Sequence, residues 1–416
     1  MKKVTFAILG MGNRGTRYAQ MQLKYPEEME VTAIADNRPV RMESANKFLN
    51  LPKERLYDSA EAILAEDKLA DVMVIATQDA QHREHAIAAL HKGYDLLLEK
   101  PISNDLDACR ELAQVANKLG RRVIVCHVLR YTVFYQQIKK LIDDGIIGDI
   151  VNLHATEMVG YYHIAHSFVR GNWHKESDSS PLILAKCCHD MDLILWLTGK
   201  HWKAVSSYGE LTHFTAANCP EGATERCTDG CQVDCPYNAP KFYFSRMPGW
   251  PTNTLHPAPT EENITEILRT SNFGRCVYKM DNDVVDHQTL SILLEDGVTA
   301  SFTVSGFNHE QDRQIHIMGT KGHIWGNFRD RKVHVAVYGQ TPYEIDVSPL
   351  CDDFTGHGGG DGRMMYDVIR FMRGDDFDTS AITSIDRSVE SHELAFAAEA
   401  SRVACGERVS AESFAK

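Results

Sequence analysis

Two clusters in this chain have residue types and spacings that could do chemistry. The first is Gly10-Met11-Gly12-Asn13-Arg14-Gly15, directly behind the apolar run KVTFAILG and ahead of TRYAQMQLKY. The run reads as a buried strand and the following stretch as a helix. In that order each glycine has its own task. Gly10 permits a tight turn, Gly12 lets backbone approach a pyrophosphate, and Gly15 lets helix and strand pack closely. The helix N-terminus then points its positive dipole end at the phosphates, so Asn13 and Arg14 are expected beside the ligand. The second cluster is Cys227, Cys231 and Cys235 in CTDGCQVDC, with Cys219 upstream. Thiolates at loop spacing suit zinc, and four would make a closed structural site. The x3 spacing matches the usual zinc pattern only in part. Free thiols, a local disulfide and a three-cysteine iron–sulfur site stand as alternatives.

Elements around the first cluster support it. A second apolar run, MEVTAIAD, ends at Asp36. A carboxylate there can accept hydrogen bonds from adenosine ribose hydroxyls and would repel a 2′-phosphate, which favours NAD over NADP. Asn37 and Arg38 follow at the same edge, and Arg38 and Arg41 pull against that preference. Strand and helix signals then alternate through ADVMVIAT, HREHAIAALHKG, YDLLLEKP, DLDACRELAQVANKLG and RRVIVCHVLRY. The pattern predicts a doubly wound parallel α/β sheet. Ligands of such sheets sit beyond the carboxyl ends of the strands. Thr77, His82, Glu99, Lys100, His127 and Arg130 fall there.

Bulk properties narrow the partners. At 416 residues the chain can fill two cores. Its net charge of −13 makes nucleic acid and anionic membrane poor partners. No apolar run approaches the roughly 20 residues of a membrane span. MKKVTFAILGMGNRG opens like a signal peptide, but a glycine-rich turn interrupts the run and no cleavage site follows. Eleven scattered cysteines, an odd number, fit a reducing cytoplasm better than a disulfide framework.

The glycine motif, ATQDAQH, LLLEKPIS and HDMDLILWLTG together resemble the glucose–fructose oxidoreductase / inositol dehydrogenase / MocA family. The resemblance covers most of the chain. It implies an N-terminal Rossmann domain (residues 1–126) and a C-terminal α/β domain (127–416) with a large open, mostly antiparallel sheet. It also implies NAD-dependent hydride transfer at a hydroxyl-bearing carbon of a sugar or cyclitol. Lys100 matches the family's catalytic lysine in E-K-P, and Thr77 and His82 match T-P-x-x-x-H, with Gln78 in place of proline. His189 matches the catalytic histidine of D-x-G-x-H-x-x-D, and Asp192 its last acid. The first aspartate falls on Ala185 and the glycine on Cys187, so the carboxylate that often accompanies the histidine is missing. Chemically, the Lys100 ammonium can stabilise alkoxide charge, and the His189 imidazole can take a proton near neutral pH. Lys186, three residues before His189, is expected to act as a second cation that keeps it neutral, or to bind an anionic substrate group.

The stretch GYYHIAHSFVRGNWHKESDSSP reads as a long loop. Its Tyr161, His163, Arg170, Asn172 and Trp173 are candidate substrate contacts, together with His287 in DNDVVDHQ and His357 in GHGGGDGRMMYD. TLSILLEDGVTASFTVSG predicts a hairpin turning at Glu-Asp-Gly. Residues 213–282 look like an insertion tied down by something, and the cysteines are expected to be its scaffold, since hydride chemistry requires no thiolate. The C-terminal helices are expected to pack back on the Rossmann half, and the open sheet to make a homo-oligomer. Two other functions remain in view. One is an NAD-dependent glycosidase working by transient C3 oxidation and elimination, with His163 or His166 as an additional base. The other is a non-enzymatic NAD-binding sensor with a redox or metal switch.

Overall fold

The computed structural model describes residues 2–351 and 356–414. The first sheet holds β1 (Val4–Leu9), β2 (Met29–Ala35), β3 (Leu56–Tyr57), β4 (Val72–Ile75), β5 (Asp95–Leu98) and β6 (Val123–Val125). They lie in the order β3-β2-β1-β4-β5-β6, and every pairing is parallel. Helices cover both faces, so β4 and β5 are buried at every position and, Asp95 apart, read as apolar runs. The strand order reverses between β1 and β4, which opens the crevice where doubly wound sheets take ligands.

The second sheet holds β7 (Ile150–Gly160), β8 (Trp202–Glu210), β9 (His287–Leu294), β10 (Thr299–Asn308), β11 (Asp312–Gly319), β12 (Gly322–Asn327), β13 (Lys332–Val337), β14 (Tyr343–Asp346) and β15 (Val409–Ser410). Their order is β14-β13-β12-β11-β7-β10-β9-β8-β15. Only β7 and β10 run parallel. In β9 and β10 buried and open positions alternate, so one face lies on the core and the other is open. The β9–β10 hairpin turns through Glu295-Asp296-Gly297, with Asp296 and Gly297 both left-handed, as the Glu-Asp-Gly signal predicted.

The C-terminal helices join the two halves. Met364, Met365, Val368 and Ile369 of helix Gly360–Arg373 share a core with Val4, Phe6 and Tyr18. Helix Ile385–Val403 sends Ile385 into the other face of the first sheet and Leu394, Ala395 and Ala398 into the second core. One reading needs correction. Residues 161–169 are helical, first Tyr161–Ile164 and then a wide π turn Ala165–Val169. Ile164, Ala165, Phe168 and Val169 are all buried, and a coil could not bury them while satisfying its backbone. The insertion carries short helices Ala239–Phe244, Thr252–Leu255 and Glu261–Thr270 around a small core of its own. Among the described residues no helix is long and apolar enough to cross a membrane.

Candidate active site

The glycine loop has the shape its spacing implies. Gly10 has φ +89°, and a Cβ there would lie 2.4 Å from the Ala76 carbonyl oxygen. A Cβ on Gly15 would lie 1.9 Å from the Gly10 oxygen. Neither position admits a side chain. Gly12 differs, because a Cβ there would meet only the Arg41 side chain, at 3.7 Å, and its backbone is open to a ligand. Helix Asn13–Lys24 starts at this point with no side-chain cap and no acid in its first turn, so its amides are available to an anion. At the end of β2 the Asp36 carboxylate accepts the backbone N–H groups of Met11 (2.7 Å) and Arg38 (2.8 Å). These residues fit a dinucleotide, with Asp36 held at the ribose end of the crevice.

Several expected cofactor contacts are committed elsewhere. Arg14 donates to Glu99 Oε1 (2.7 Å), Asp361 Oδ1 (2.7 Å) and the Tyr18 hydroxyl (2.6 Å). It clamps the first sheet to the returning helix Gly360–Arg373, so neither it nor Glu99 is free for phosphate. His82 contacts the Pro101 oxygen through Nδ1 (2.7 Å) and the Thr77 oxygen through Nε2 (3.2 Å). Its ring braces the turn after β5, and Thr77 pairs with His85 Nδ1 at 3.0 Å. Arg38 donates to the Leu255 oxygen of the insertion (3.1 Å), while Asn13 and Asn37 are exposed.

Lys100, just past β5, reaches into the second half, and its ammonium donates to the Ala185 carbonyl at 2.8 Å. Ala185 stands where the family pattern has a carboxylate, and here its backbone oxygen meets the lysine. Four residues on, His189 is 6% exposed and its Nδ1 has no partner. The His127 ring stands edge-on to it at 5.5 Å, and both His127 nitrogens are buried without partners. His357, paired to Asp361 at 3.3 Å, has its ring 6.3 Å from that of His189. Burial first, then the Lys100 charge, holds His189 neutral well below the ordinary histidine range. Burial likewise brings His127 down to about 4.

Lys186 is not placed beside His189 as its spacing implied. Helix Leu182–Ala185 ends just before it and a new helix, Cys188–Thr198, follows, so Lys186 and His189 share no helical face. Its ammonium lies 3.3 Å from Glu157 Oε1. The cations that act on His189 are Lys100 and Arg313. Arg313 contacts Glu157 Oε2 at 2.6 Å and Asp190 Oδ1 at 2.8 Å. Both Glu157 oxygens lack a well-angled hydrogen bond, so these are charge contacts with acceptor capacity left over. Burial pushes the Asp190 carboxyl up to about 6 despite Arg313. Glu157 and Arg313 went unrecognised in the sequence. Their signal was a charge at an inward position of an alternating strand, Glu157 between Ala155 and Val159, and Arg313 before Ile315 and Ile317.

Other candidate contacts prove to be structural. Arg130 and Asp192 bind each other through two 2.6 Å hydrogen bonds and are both buried. Asn172 donates to Gln78 (3.2 Å) and the Trp173 indole to Asp79 (3.0 Å), tying residues 172–173 to the turn after β4. His287 pairs with Asp286 at 2.9 Å. His166 is taken by the Tyr243 hydroxyl (2.8 Å) and Thr254 (3.3 Å). His163 contacts Gln311 through Nδ1 (2.6 Å), and Tyr161 packs on His309 and Tyr237. These two remain beside the site.

Four cysteines of the insertion gather around a cavity of their own. Cys227, Cys231 and Cys235 line one cavity with Cys276, which the spacing did not reveal, and with Arg170; Cys219 does not line it. Arg170 is therefore a scaffold residue, donating to the oxygens of Arg275 (2.8 Å) and Tyr237 (2.7 Å). Among the described residues no group of three or more His, Cys, Asp or Glu side chains stands ready to hold a metal ion. The expected four-cysteine zinc set with Cys219 is not formed.

Comparison with known proteins agrees with this architecture. Residues 4–127 match the family description "Oxidoreductase family, NAD-binding Rossmann fold", and residues 139–395 match "Oxidoreductase family, C-terminal alpha/beta domain". An inositol 2-dehydrogenase/D-chiro-inositol 3-dehydrogenase of Lactiplantibacillus plantarum is 29% identical over 191 residues, covering 46% of this chain and 51% of that one. A 2,7-anhydro-N-acetylneuraminate hydratase of Escherichia coli is 24% identical over 206 residues, 50% of this chain and 52% of that one. The match thus spans about half of each of these relatives. An inositol dehydrogenase homologue of Azotobacter vinelandii, solved with NAD+, superposes with a TM-score of 0.71 at 15% identity over 98% of this chain and 97% of that one.

Proposed function

This chain belongs to the Gfo/Idh/MocA family of NAD-dependent oxidoreductases, and from that premise we propose that it moves hydride between nicotinamide and a hydroxyl-bearing carbon of a sugar, glycoside or cyclitol. One observation carries the reading. The Lys100 ammonium crosses from the first half to within 2.8 Å of the Ala185 oxygen, one turn from a buried His189 with an unpartnered nitrogen. When bound, NAD supplies the hydride acceptor. The chain supplies the rest. Lys100 exchanges its carbonyl partner for the substrate oxygen and stabilises the alkoxide that forms. His189, kept neutral by burial and by Lys100, takes the hydroxyl proton. His127 offers a buried nitrogen to a neighbouring hydroxyl. Glu157, with spare acceptor capacity, takes another, and a polyol presents several such donors in fixed geometry. Asp36 at the ribose end favours NAD over NADP.

A second reading has one observation in its favour. His163 is a further, half-buried imidazole, held neutral by desolvation and by the charge of Lys186, with Lys100 acting in the same direction. Such a base could remove a C2 proton from a glycoside transiently oxidised at C3, so that elimination releases the aglycone, water adds across C1–C2, and the hydride then returns to C3. The hydratase relative is in keeping with this kind of chemistry. The non-enzymatic sensor reading has no comparable support, since the family is one of oxidoreductases. We also take the open face of the second sheet, where Tyr208 and Leu293 are exposed, as the surface on which two copies meet in a cytoplasmic oligomer.

A panel of free sugars, cyclitols and aryl glycosides, incubated with NAD and followed for NADH and aglycone together, tests both readings. Stoichiometric NADH from a polyol supports the dehydrogenase. Aglycone release without net NADH supports the elimination route. Turnover of the best substrate that survives unchanged in Lys100→Met and His189→Asn contradicts both.

A further inference from the structure

We infer that the cavity bounded by Cys227, Cys231, Cys235 and Cys276 is a site for one soft divalent cation, zinc being the best match, which staples the 213–282 insertion beside the active-site segment. The inference is independent of the substrate. Four thiols and one guanidinium face a cavity of about 20 Å³. That is room for a single water-sized occupant and too little for an iron–sulfur cluster. Four sulfur donors in one lining select a soft, tetrahedral ion.

Arg170 is the second and separate indication. It is 1% exposed, its Nη1 has no partner, and its Nη2 lies 3.6 Å from Cys227 Sγ. A buried guanidinium facing neutral thiols lacks a countercharge, which is costly. Four thiolates around a divalent ion carry two negative charges, and Arg170 would offset one of them. The region also needs a staple. Between β8 and helix Ala239–Phe244 the only helical turn is Ala216–Asn218, and the insertion's own core is six residues.

The sulfurs ring the cavity without converging on one point. Binding must therefore draw them inward as the thiol protons leave, in the usual coupling of metal affinity to local order. Arg170 belongs to the segment that carries His163 and His166, and it bonds to the insertion at Arg275 and Tyr237. The cation would thus fix one wall of the active site without touching the reaction.

The test uses the full-length chain purified without chelator. Elemental analysis should find about one zinc per chain, released when a mercurial titrates the thiols. The cobalt-substituted protein should show the visible bands of a tetrahedral thiolate site. Cys276→Ser should lose most of the metal, and Cys219→Ser should keep it. Wild-type protein that carries no metal and gives no cobalt spectrum overturns the inference, as does a native disulfide between any two of the four cysteines. Equal metal loss in Cys219→Ser and Cys276→Ser overturns the ligand set. If Cys276→Ser does not fold, the wild-type stoichiometry and cobalt spectrum decide alone.

Discussion

Two arginine–carboxylate assemblies flank the turn that carries His189, and their contrast separates scaffold from chemistry. On one side Arg130 and Asp192 close on each other through two 2.6 Å hydrogen bonds. Each of the paired carboxylate oxygens is engaged, and the pair is sealed from water. On the other side Arg313 is shared between Asp190 and Glu157, and Glu157 also faces Lys186. Two cations meet two anions there, at unequal distances, and Glu157 keeps unsatisfied oxygens. Both assemblies pair an arginine with carboxylate at similar burial. A saturated pair can only hold the fold, whereas an unsaturated one has donors and acceptors to give a ligand. His127 and His189, with unpartnered ring nitrogens, are unsaturated in the same sense.

Perturbing the unsaturated side should cost activity far more than stability. Lys100→Met and His189→Asn are each expected to lower kcat/KM by about 10² to 10⁴, with the melting temperature and NAD affinity nearly unchanged; steady-state kinetics beside a thermal melt checks this. A comparable loss of fold would show that the two sides do not differ. Perturbing the saturated side should do the reverse. Arg130→Met leaves the buried Asp192 charge uncompensated and should cost about 3–5 kcal/mol of stability, read by denaturant unfolding.

The shared cluster should respond more mildly. Glu157→Gln keeps the shape and removes one charge, so roughly a tenfold loss in kcat/KM is expected, about 1.4 kcal/mol in the barrier, with a smaller change in the melt. The smallest effects concern pH. Because burial depresses His189, its base form persists below the ordinary histidine value of about 6.5. The acid limb of kcat/KM should lie below that pH, and a limb centred above it would contradict the assignment. His127 (about 4), His166 and His392 (about 3 each) are also buried neutral. The unfolded chain binds protons at these histidines first as pH drops through about 6.5. Stability should therefore be full above that pH and fall between about 6.5 and 3, where acid titration followed by circular dichroism would show it.

Much of the architecture could be read from the chain because its causes are local. An apolar run ending in Gly10-x-Gly12-x-x-Gly15 constrains backbone directly, and Gly10 and Gly15 admit no side chain. Five strands of the first sheet, the β9–β10 hairpin and the return of the C-terminal helices were legible in period and turn chemistry. The two-residue β3 left no periodic trace, and 161–169 read as loop because a π turn buries residues off the helical period.

What the sequence alone determined was the inventory: a dinucleotide loop, an acid at the end of β2, a lysine past β5, a histidine opening a helix, and thiols in an insertion. Whether each was free or spent was decided only in three dimensions. Arg14, His82, Arg130, Asn172 and Trp173 look like ligand contacts in one dimension, yet each has its hydrogen-bonding groups taken by partners from distant segments or neighbouring turns. Cys276 and Arg313 looked unremarkable until folding brought them beside the other thiols and beside Glu157. The physical reason is that a polar group's role depends on which of its donors and acceptors remain unsatisfied, and that is a property of neighbours far apart in the chain.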